Sequence, residues 1–404
     1  MIYDRQDVIQ YIEEEDVKFI RLVFCDVFGR PKNISIMPGE LDRAFEYGIA
    51  VDASAIRGFG GDVTSDLFLH PDPSTIAVLP WRPEHGRVVR MFCDISYPDG
   101  KPFENDTRRI LKDAVACAKE KGYAFSFGAE IEFYLFKLGD EGDPTAVPYD
   151  RASYMDMAPD DRGENVRREI CLALEQMGIH PESSHHEEGP GQNEIDFCYS
   201  DPLSCADNAI TFKTVVKAIA QKNGLWADFS AKPLADCPGS GMHINISVRG
   251  PEGEDPTPHM IAGILKNVQA STLFLNPTKG SYERLGSHKA PRYVSWSAQN
   301  RSQLVRIPAA YGKYRRAELR SADPSANPYL AFALLIRAGL EGIGEKLPLC
   351  DAVDLNLYTA GKDVTDALGT LPLSLRDAAA LAAESDFIKR NLPETLIENY
   401  FGLV

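Results

Sequence analysis

The sequence contains no long apolar run and no excess of basic residues. None of its hydrophobic stretches is long enough to cross a bilayer as a helix, so we expect no membrane-spanning segment. Among 404 residues, 43 Lys and Arg are outnumbered by 59 Asp and Glu, which gives a formal net charge of -16. Because nucleic acids are bound through basic surfaces, this charge argues against a nucleic-acid partner.

Motifs that would identify a nucleotide-binding loop or a disulfide framework are also missing. No GxxxxGKS or GxxxxGKT motif occurs, and the glycine-rich loop that begins at Gly58 lacks the spacing of the dinucleotide fingerprint. The eight cysteines are scattered without a CxxC pair, which is typical of reduced thiols in a cytoplasmic protein. The first residues, MIYDRQDVIQYIEEEDV, lack a basic region followed by an apolar core and therefore predict a helix rather than a signal peptide.

Length and turn signals divide the chain into two predicted domains, residues 1–100 and 101–404. In the first, a helix near residues 6–14 precedes the strands FIRLVFCDVF and KNISIMP, which a turn at Gly29-Arg30-Pro31 joins as a hairpin. The boundary segment PDGKPFENDT offers caps for the helix that follows it. The further elements predicted are helices at Arg108–Lys121, Glu164–Met177 and Pro328–Ile343, a polar loop at Asp140–Asp161 and a helical tail from Ser374.

The segment FGAEIEFYLF, residues 127–136, has the composition of a strong β-strand. Successive side chains of a strand point to opposite faces, so Glu130 and Glu132 share one face while Ile131, Phe133 and Leu135 share the other. Burying two unpaired carboxylates is costly. The polar face is therefore either the wet face of an edge strand or a surface that binds cations.

Three later segments repeat this alternation. In each, chelating or cationic residues occupy one face and apolar residues the other, which favours a curved sheet with a polar, ligand-binding concave face. Carboxylates with one imidazole suit Mg²⁺ or Mn²⁺, and clustered arginines suit phosphate or carboxylate, so together they indicate ATP-dependent acyl activation. The three polar sets are Glu194, Asp196 and Cys198; His243, Asn245 and Ser247; and Arg316, Glu318 and Arg320.

Eight blocks in order along nearly the whole chain resemble the glutamine synthetase family of the prokaryotic type I. The resemblance implies an α+β fold, with a β-grasp N-terminal domain and a catalytic domain whose curved antiparallel sheet is backed by helices. It also implies a ring-shaped homo-oligomer whose active sites are shared between neighbouring subunits. The blocks are VDASAIRGF, SDLFLHPDPST, FCDISYPDGKPF, FGAEIEFYLF, HHEEGPGQNEIDF, AKPLADCPGSGMHINIS, YVSWSAQNRSQLVRIP and RAELRSADPSANPYLAFALLIRAGLEGI.

Carried over by position, the resemblance also implies roles for individual residues, with two or more Mg²⁺ or Mn²⁺ ions per site and ATP as a substrate. One metal site would comprise Glu132, Glu187 and Glu194, and the other Glu130, His243 and Glu318. Arg284, Arg320 and the Gly239 backbone would bind glutamate. The ATP phosphates and the transferring phosphoryl group would contact Arg301, Arg306 and Arg316, with Asn245 and Ser247 near the nucleotide. A neighbouring subunit would lend Asp52 to the ammonium pocket. His185 and His186 are open between nucleotide-side and packing roles.

The sequence departs from the family pattern on the acceptor side. Where the family has a glutamate in a GYEAP-like loop, the shorter run RLGSHKAP has Lys289, a cation that would repel ammonium. Pro238 replaces an expected asparagine before GSGMH, and Ala55 replaces a serine near Asp52. The tail stops short of the family's C-terminal extension, so a single hexameric ring is as compatible with the sequence as a stacked dodecamer.

Three functions remain open at this stage. The chain would join glutamate and ammonia through a γ-glutamyl phosphate, or join glutamate to another amine, or bind nucleotide or glutamine as a sensor without catalysis. The complete metal set and the phosphate arginines favour an enzyme, since a sensor has little need of transition-state charges. Lys289 favours a changed amine or weak synthesis with ammonia.

Overall fold

The computed structural model describes residues 3–59, 65–82, 85–251, 254–310, 312 and 315–403. Its N-terminal part is a six-stranded sheet in the order β2-β1-β6-β4-β3, with β5 paired to β6. The central pair β1 and β6 is parallel, and its neighbours are antiparallel. The strands are β1 (Val17–Cys25), β2 (Pro31–Ile36), β3 (Ile49–Asp52), β4 (Asp66–Pro71), β5 (Ala77–Val78) and β6 (Arg87–Ser96).

Two helices, α1 (Arg5–Glu14) and α2 (Leu41–Tyr47), accompany this sheet. Asp4 begins α1 as its N-cap and forms a capping box with Asp7, which satisfies amide groups that a helix start leaves unpaired. The predicted hairpin is confirmed, because β1 and β2 pair antiparallel across the predicted turn. This part of the chain buries a core of its own, which includes Val8, Ile20 and Leu22.

The second sheet has nine strands, in the order β13-β14-β15-β12-β7-β10-β9, with β8 and β11 also paired to β7. Strand β7 is central because its fifteen residues are long enough to pair with four neighbours. These strands are β7 (Ala124–Leu138), β8 (Pro144–Pro148), β9 (Pro181–His186), β10 (Gln192–Phe197), β11 (Leu225–Asp228), β12 (Met242–Arg249), β13 (Trp296–Ser297), β14 (Val305–Arg306) and β15 (Ala317–Leu319).

Helices cover the apolar face of this sheet. On β7, Ile131, Phe133 and Leu135 are fully buried, as the alternation predicts. The α+β architecture with a curved catalytic sheet is thus confirmed. The helices are α3 (Thr107–Glu120), α4 (Glu164–Gln176), α5 (Pro202–Lys222), α6 (Thr257–Leu275), α7 (Lys279–Arg284), α8 (Pro328–Gly344), α9 (Lys362–Thr365), α10 (Leu375–Glu384), α11 (Asp386–Asn391) and α12 (Glu394–Phe401). Within the described ranges, none of them combines the length and apolar character needed to cross a bilayer.

Two details of the sequence prediction are wrong. The segment predicted as a loop at Asp140–Asp161 contains strand β8, whose first and last residues are prolines that mask its signal and which pairs with the C-terminal end of β7. Cys198, predicted to continue the polar face of β10, lies beyond the end of that strand and is exposed.

Helices α6 and α8 touch through their backbones. A Cβ atom on Gly263 would lie 2.1 Å from the Ala338 carbonyl oxygen, and one on Gly342 would lie 2.1 Å from the His259 carbonyl oxygen. Real side-chain atoms do not approach so closely, so only glycine fits at these two positions. The contact fixes the spacing of two helices behind the catalytic sheet.

A buried arginine joins the two parts of the chain. Arg108, in the first turn of α3, lies 2.9 Å from Asp207 of α5 and 2.9 Å from Asp72 at the end of β4. It also lies 3.1 Å from Asp94 of β6. Because a buried guanidinium needs carboxylate partners, this network fixes the N-terminal sheet against the catalytic domain.

Candidate functional site

Strand pairing gathers the predicted acidic residues on one face of the second sheet. In the register of β7 with β10, Glu132 lies opposite Glu194, and Glu130 lies opposite Asp196. In the register of β7 with β12, Glu130 also lies opposite His243. Directly opposed residues of antiparallel strands project to the same side of the sheet. Four carboxylates and one imidazole therefore meet over the middle of β7.

These residues line a cavity of about 450 Å³. Its walls also include the β9 to β10 turn, the loop after α7 and four arginines from the segment 301–320. The predicted residues at its surface are Glu130, Glu132, Glu187, Glu194, Gly239, His243, Arg284, Arg301, Arg306, Arg316 and Arg320. Most of the predicted site thus faces one cavity.

One group of side chains with the chemistry of metal ligands consists of Glu130, His243 and Glu318, whose potential ligand atoms all lie within 4.8 Å of one another. His243 Nδ1 is 3.3 Å from Glu130 Oε2 and 3.8 Å from Glu318 Oε1. Burial opposes ionisation of Glu130, but the hydrogen bonds and charge that His243, Asn245 and Arg320 supply together outweigh burial, and the pKa of Glu130 falls to about 2. Glu130 is therefore a carboxylate at neutral pH, as a metal ligand must be.

A second group lies on the β9 and β10 side of the cavity and consists of His185, Glu187 and Glu194. His185 Nε2 is 3.0 Å from Glu187 Oε1. Glu132, which the resemblance assigns to this site, faces the same cavity but accepts hydrogen bonds from the Gly241 amide at 2.8 Å and from Gln192 at 3.1 Å. The geometry adds His185 to the predicted set.

The acidic side chains of the cavity repel one another. Burial and then the nearby carboxylates of Glu132, Asp196 and Glu130 raise the pKa of Glu194 well above its ordinary value. Asp196 Oδ1 is buried, and no hydrogen-bond partner for it exists among the described residues. Asp196 also groups with Glu130 and Glu194 within 4.8 Å. A hard, oxygen-rich set with excess negative charge fits divalent cations such as Mg²⁺ or Mn²⁺.

Arginines pair with the carboxylates on the other side of the cavity. Arg306 donates to the fully buried Glu318 at 2.7 Å, and Arg320 forms a second ion pair with the same carboxylate. Although burial opposes ionisation of Glu318, these arginines help to lower its pKa, Arg320 most strongly. Arg316 donates to Asn245 at 2.8 Å, and Asn245 donates to Glu130 at 2.7 Å. The arginines and the ligand carboxylates thus form one connected network.

The residues assigned to glutamate lie together at one end of the cavity. Arg284, the last residue of α7, is buried and donates to the Ser321 carbonyl oxygen at 2.7 Å. A Cβ atom on Gly239 would lie 2.3 Å from the Ala231 carbonyl oxygen and 2.8 Å from Arg284 Cγ. Gly239 therefore gives its backbone access to the cavity without displacing Arg284.

Three other predicted residues occupy different surroundings. Arg301 lines the cavity with an exposed side chain, while its carbonyl oxygen accepts a hydrogen bond from Arg320 at 3.2 Å. Ser247 lies two residues beyond Asn245 on β12, is half-buried and does not line the cavity. Asp52 is exposed at the end of β3, where it caps the next turn by accepting from the Ser54 amide at 3.0 Å. In this single chain Asp52 lies outside the cavity.

Lys289 lines the cavity and forms an ion pair with Glu188 across its mouth. Its ammonium also lies 5.5 Å from the ring centroid of Tyr154, whose ring packs edge-on against His185. His288 and Lys289 both have positive φ, at 44° and 66°, a strained conformation that must be held by its surroundings. Sequence reasoning assigned no role to Glu188 or Tyr154, because no local pattern relates them to a loop so distant in the chain.

Comparisons with known proteins agree with this geometry. The family model for the glutamine synthetase catalytic domain matches residues 104–403, and that for the glutamine synthetase β-grasp domain matches residues 16–98. Glutamine synthetase of Clostridium saccharobutylicum is 43% identical, with 98% of this chain and 93% of the relative covered. That of Methanosarcina mazei is 44% identical, with 98% of this chain and 92% of the relative covered.

Solved structures give the same fold. A GmaS/ADP complex superposes with a TM-score of 0.89 at 27% identity and covers 98% of this chain and 94% of its own. A glutamine synthetase of Plasmodium falciparum superposes with a TM-score of 0.86 at 22% identity and covers 99% of this chain and 95% of its own. At that identity the likeness concerns the fold alone. With both domain models matched, and with relatives above 40% identity over nearly their whole length, the chain belongs to the glutamine synthetase family.

Proposed function

We propose that this protein ligates glutamate and ammonia to glutamine at the expense of ATP, through a γ-glutamyl phosphate. The observation that carries the proposal is that two groups of side chains with the chemistry of metal ligands meet four arginines at one cavity. Carboxylate is a poor electrophile, so phosphorylation by ATP prepares it for attack by an amine. Phosphoryl transfer depends on positioning and charge neutralisation, which such a cavity is suited to supply.

Divalent cations would be held by two sets of side chains, each made of carboxylates and a histidine or of carboxylates alone. We assign Glu130, His243 and Glu318 to one site and Glu132, Glu187 and Glu194 to the other, with His185 beside Glu187 and Glu194. Bound Mg²⁺ or Mn²⁺ would neutralise charge on the phosphates and orient them. The hydrogen bonds from Gly241 and Gln192 hold the Glu132 carboxylate in a fixed position.

The arginines would bind the anionic parts of the substrates. Arg301 would stabilise the transferring phosphoryl group, a role supported by its exposed side chain at the cavity. Arg306 and Arg316 would contact the ATP phosphates, with Asn245 and Ser247 on the nucleotide side. Arg284, Arg320 and the Gly239 backbone would bind glutamate, since they lie together beside the ligand carboxylates.

The acceptor site would be completed by a neighbouring subunit. Asp52 lies outside the cavity of its own chain, so it would serve the site of the next subunit in a hexameric ring or stacked dodecamer. There its carboxylate would attract ammonium and remove a proton from it. Eight unpaired cysteines agree with a reducing, cytoplasmic location.

A second candidate is a γ-glutamyl ligase that uses another amine. Lys289 at the mouth of the cavity favours it, since a cation there disfavours ammonium. A sensor without catalysis is supported less well. Glu318 and its arginines form an ion-pair network beside the proposed ligands. Binding of nucleotide or glutamine alone does not require such a network.

Phosphate release from ATP is the test. The protein is incubated with glutamate and Mg²⁺ or Mn²⁺, against ammonium and a panel of primary amines, and the products are identified by mass spectrometry. We expect ammonium-dependent phosphate release with glutamine as product, lost in Arg301→Ala and kept in Arg376→Ala, a matched exposed arginine outside the cavity. Release only with a larger amine supports the second candidate, and nucleotide binding without release under any condition overturns both.

A further inference from the structure

A second cavity lies where the N-terminal sheet meets the catalytic domain. It measures about 580 Å³ and lies between the turn after β1, the middle of α5, and the segment that follows β11. None of the residues that line it lines the carboxylate cavity. It is therefore separate from the proposed catalytic site, and an inference about it does not rest on the proposed function.

Three cations from two distant parts of the chain line this cavity. Arg30 comes from the β1 to β2 turn, and Lys213 and Lys217 lie one turn apart on α5. None of the three forms an ion pair with a carboxylate of the residues that the structure describes. Lys213 donates to the Pro324 carbonyl oxygen at 3.1 Å, and the Lys217 ammonium lies 5.7 Å from the Phe229 ring centroid. Such contacts do not neutralise the positive charges, although the Asp323 carboxylate acts on Lys213 and the Asp228 carboxylate acts on Lys217 from beyond ion-pair distance.

The lining is positively charged on balance. Asp228 is the carboxylate among the described lining residues, and its Oδ1 already accepts the Ser230 amide at 2.6 Å. Burial lowers the pKa of Lys213 to about 8, and the charge of Lys217 contributes to that decrease. Burial also lowers the pKa of Lys217; the Asp228 carboxylate opposes this decrease, and Arg30 adds a smaller contribution to it. Lys217 is thus close enough to repel both Lys213 and Arg30, and an anion among the three cations would relieve that repulsion.

We propose that this cavity binds a small organic anion with at least two negative charges, carried by phosphate or carboxylate groups. A guanidinium fork and two ammonium groups recognise both kinds of oxyanion. The half-exposed ring of Trp226 at the rim offers an apolar surface for the organic part of the ligand. Because Arg30 belongs to the N-terminal sheet and Lys217 to the catalytic domain, the ligand bridges the two parts of the chain.

Titration calorimetry and thermal unfolding of the full-length protein test this site. Pyrophosphate and citrate are titrated separately at constant ionic strength without divalent metal, into the wild type and into Arg30→Ala and Lys217→Ala. Both side chains are exposed at the cavity, so their removal leaves the core intact. Lys222→Ala is the matched control, because Lys222 lies on the same helix outside the cavity. Arg316→Ala is a further control, because a loss of binding in this variant would show that the anion binds in the carboxylate cavity instead.

We expect saturable binding that raises the unfolding temperature of the wild type, Lys222→Ala and Arg316→Ala. Arg30→Ala and Lys217→Ala should each weaken the affinity by about tenfold or more, since each removes a charged hydrogen-bond donor. Binding of pyrophosphate alone identifies a phosphate ligand, and binding of both anions identifies a site for either group. The proposal is overturned if neither anion binds at millimolar concentration, or if only Arg316→Ala loses the binding.

Discussion

Charge changes at the mouth of the catalytic cavity should alter the affinity for ammonium in opposite directions. Lys289 is paired with Glu188 there, so its positive charge is partly cancelled. Replacing Lys289 by Glu would place two carboxylates at the mouth and attract ammonium more strongly. Replacing Glu188 by Gln would leave Lys289 uncompensated and repel ammonium.

Solvent exposure decides the size of these effects. Two unit charges about 4 Å apart at an effective dielectric of 20 interact by roughly 4 kcal/mol, which would change the affinity about a thousandfold. The Lys289 and Glu188 side chains are 49% and 36% exposed, however, so water and salt screen their charges. Exposed pairs contribute about 1 kcal/mol or less, which corresponds to a change in the KM for ammonium of about two- to fivefold.

The assay is the initial rate of glutamine formation at varied ammonium, with glutamate and ATP saturating. Lys289→Glu should lower the KM for ammonium, Glu188→Gln should raise it, and kcat should change less than KM in both. The exchange variant Glu188→Lys with Lys289→Glu restores an ion pair and should return KM towards the wild-type value. Added salt should shrink every difference.

The prediction would be refuted if both single variants, Lys289→Glu and Glu188→Gln, kept the wild-type KM for ammonium. It would also fail if Lys289→Glu impaired phosphate release in the absence of any amine, because Lys289 would then act on phosphoryl transfer. In the first case Lys289 lies outside the acceptor path, and Asp52 of the neighbouring subunit is left as the carboxylate that binds ammonium.

Three further predictions concern the proposed metal ligands and the assembly. Glu130→Ala and His243→Ala should each reduce ATP-dependent turnover by more than about 100-fold, because removing even an outer-shell partner of a metal costs up to that factor. Circular dichroism should show an unchanged fold in both variants. Burial and neighbouring carboxylates raise the pKa of Glu194, so its stabilising contribution is full below the ordinary value of 4.5 and is lost as pH rises through the higher folded value. Glu194→Gln should therefore raise the unfolding temperature of the metal-free protein at neutral pH and reduce the gain produced by Mn²⁺; equal Mn²⁺ stabilisation in both proteins would contradict the assignment. Finally, Asp52→Ala and Arg301→Ala subunits, each inactive alone, should regain activity when they are mixed and reassembled, because some interfaces then combine an intact Asp52 with an intact Arg301. A fully active monomer in sedimentation would exclude a shared site.

Strand alternation made much of the site predictable from sequence. Side chains alternate between the two faces of a strand, so the shared face of Glu130 and Glu132 follows from the local sequence alone. His243 and Glu318 lie in the same kind of pattern, and strand pairing then brings their ligand atoms within 4.8 Å of Glu130. The same alternation in four segments predicted one shared concave face, but the division of its ligands into two metal sites and the addition of Glu187 depended on the resemblance, since alternation does not say which strands are neighbours.

Contacts between distant loops could not be predicted in this way. Lys289 and Glu188 are 101 residues apart, and neither lies in a periodic element that fixes its direction. His185 and His186 show the same limit. The structure turns His185 towards the cavity, while His186 is fully buried and lies 2.8 Å from Asp150. Adjacent strand residues must face opposite ways, but only the register of β9 decides which of the two faces the ligands.

The glycine contact between α6 and α8 has a consequence for how this protein can change. Most buried contacts can be altered in either direction, because a side chain can be shortened or lengthened. Here Gly263 and Gly342 already lack side chains, so any substitution can only push the helices apart. Both helices support the sheet that carries the proposed metal ligands, so we expect a saturation mutagenesis screen to find these two positions as intolerant as the proposed ligands. Two residues with no chemistry of their own would then look catalytic to any assay that measures activity alone.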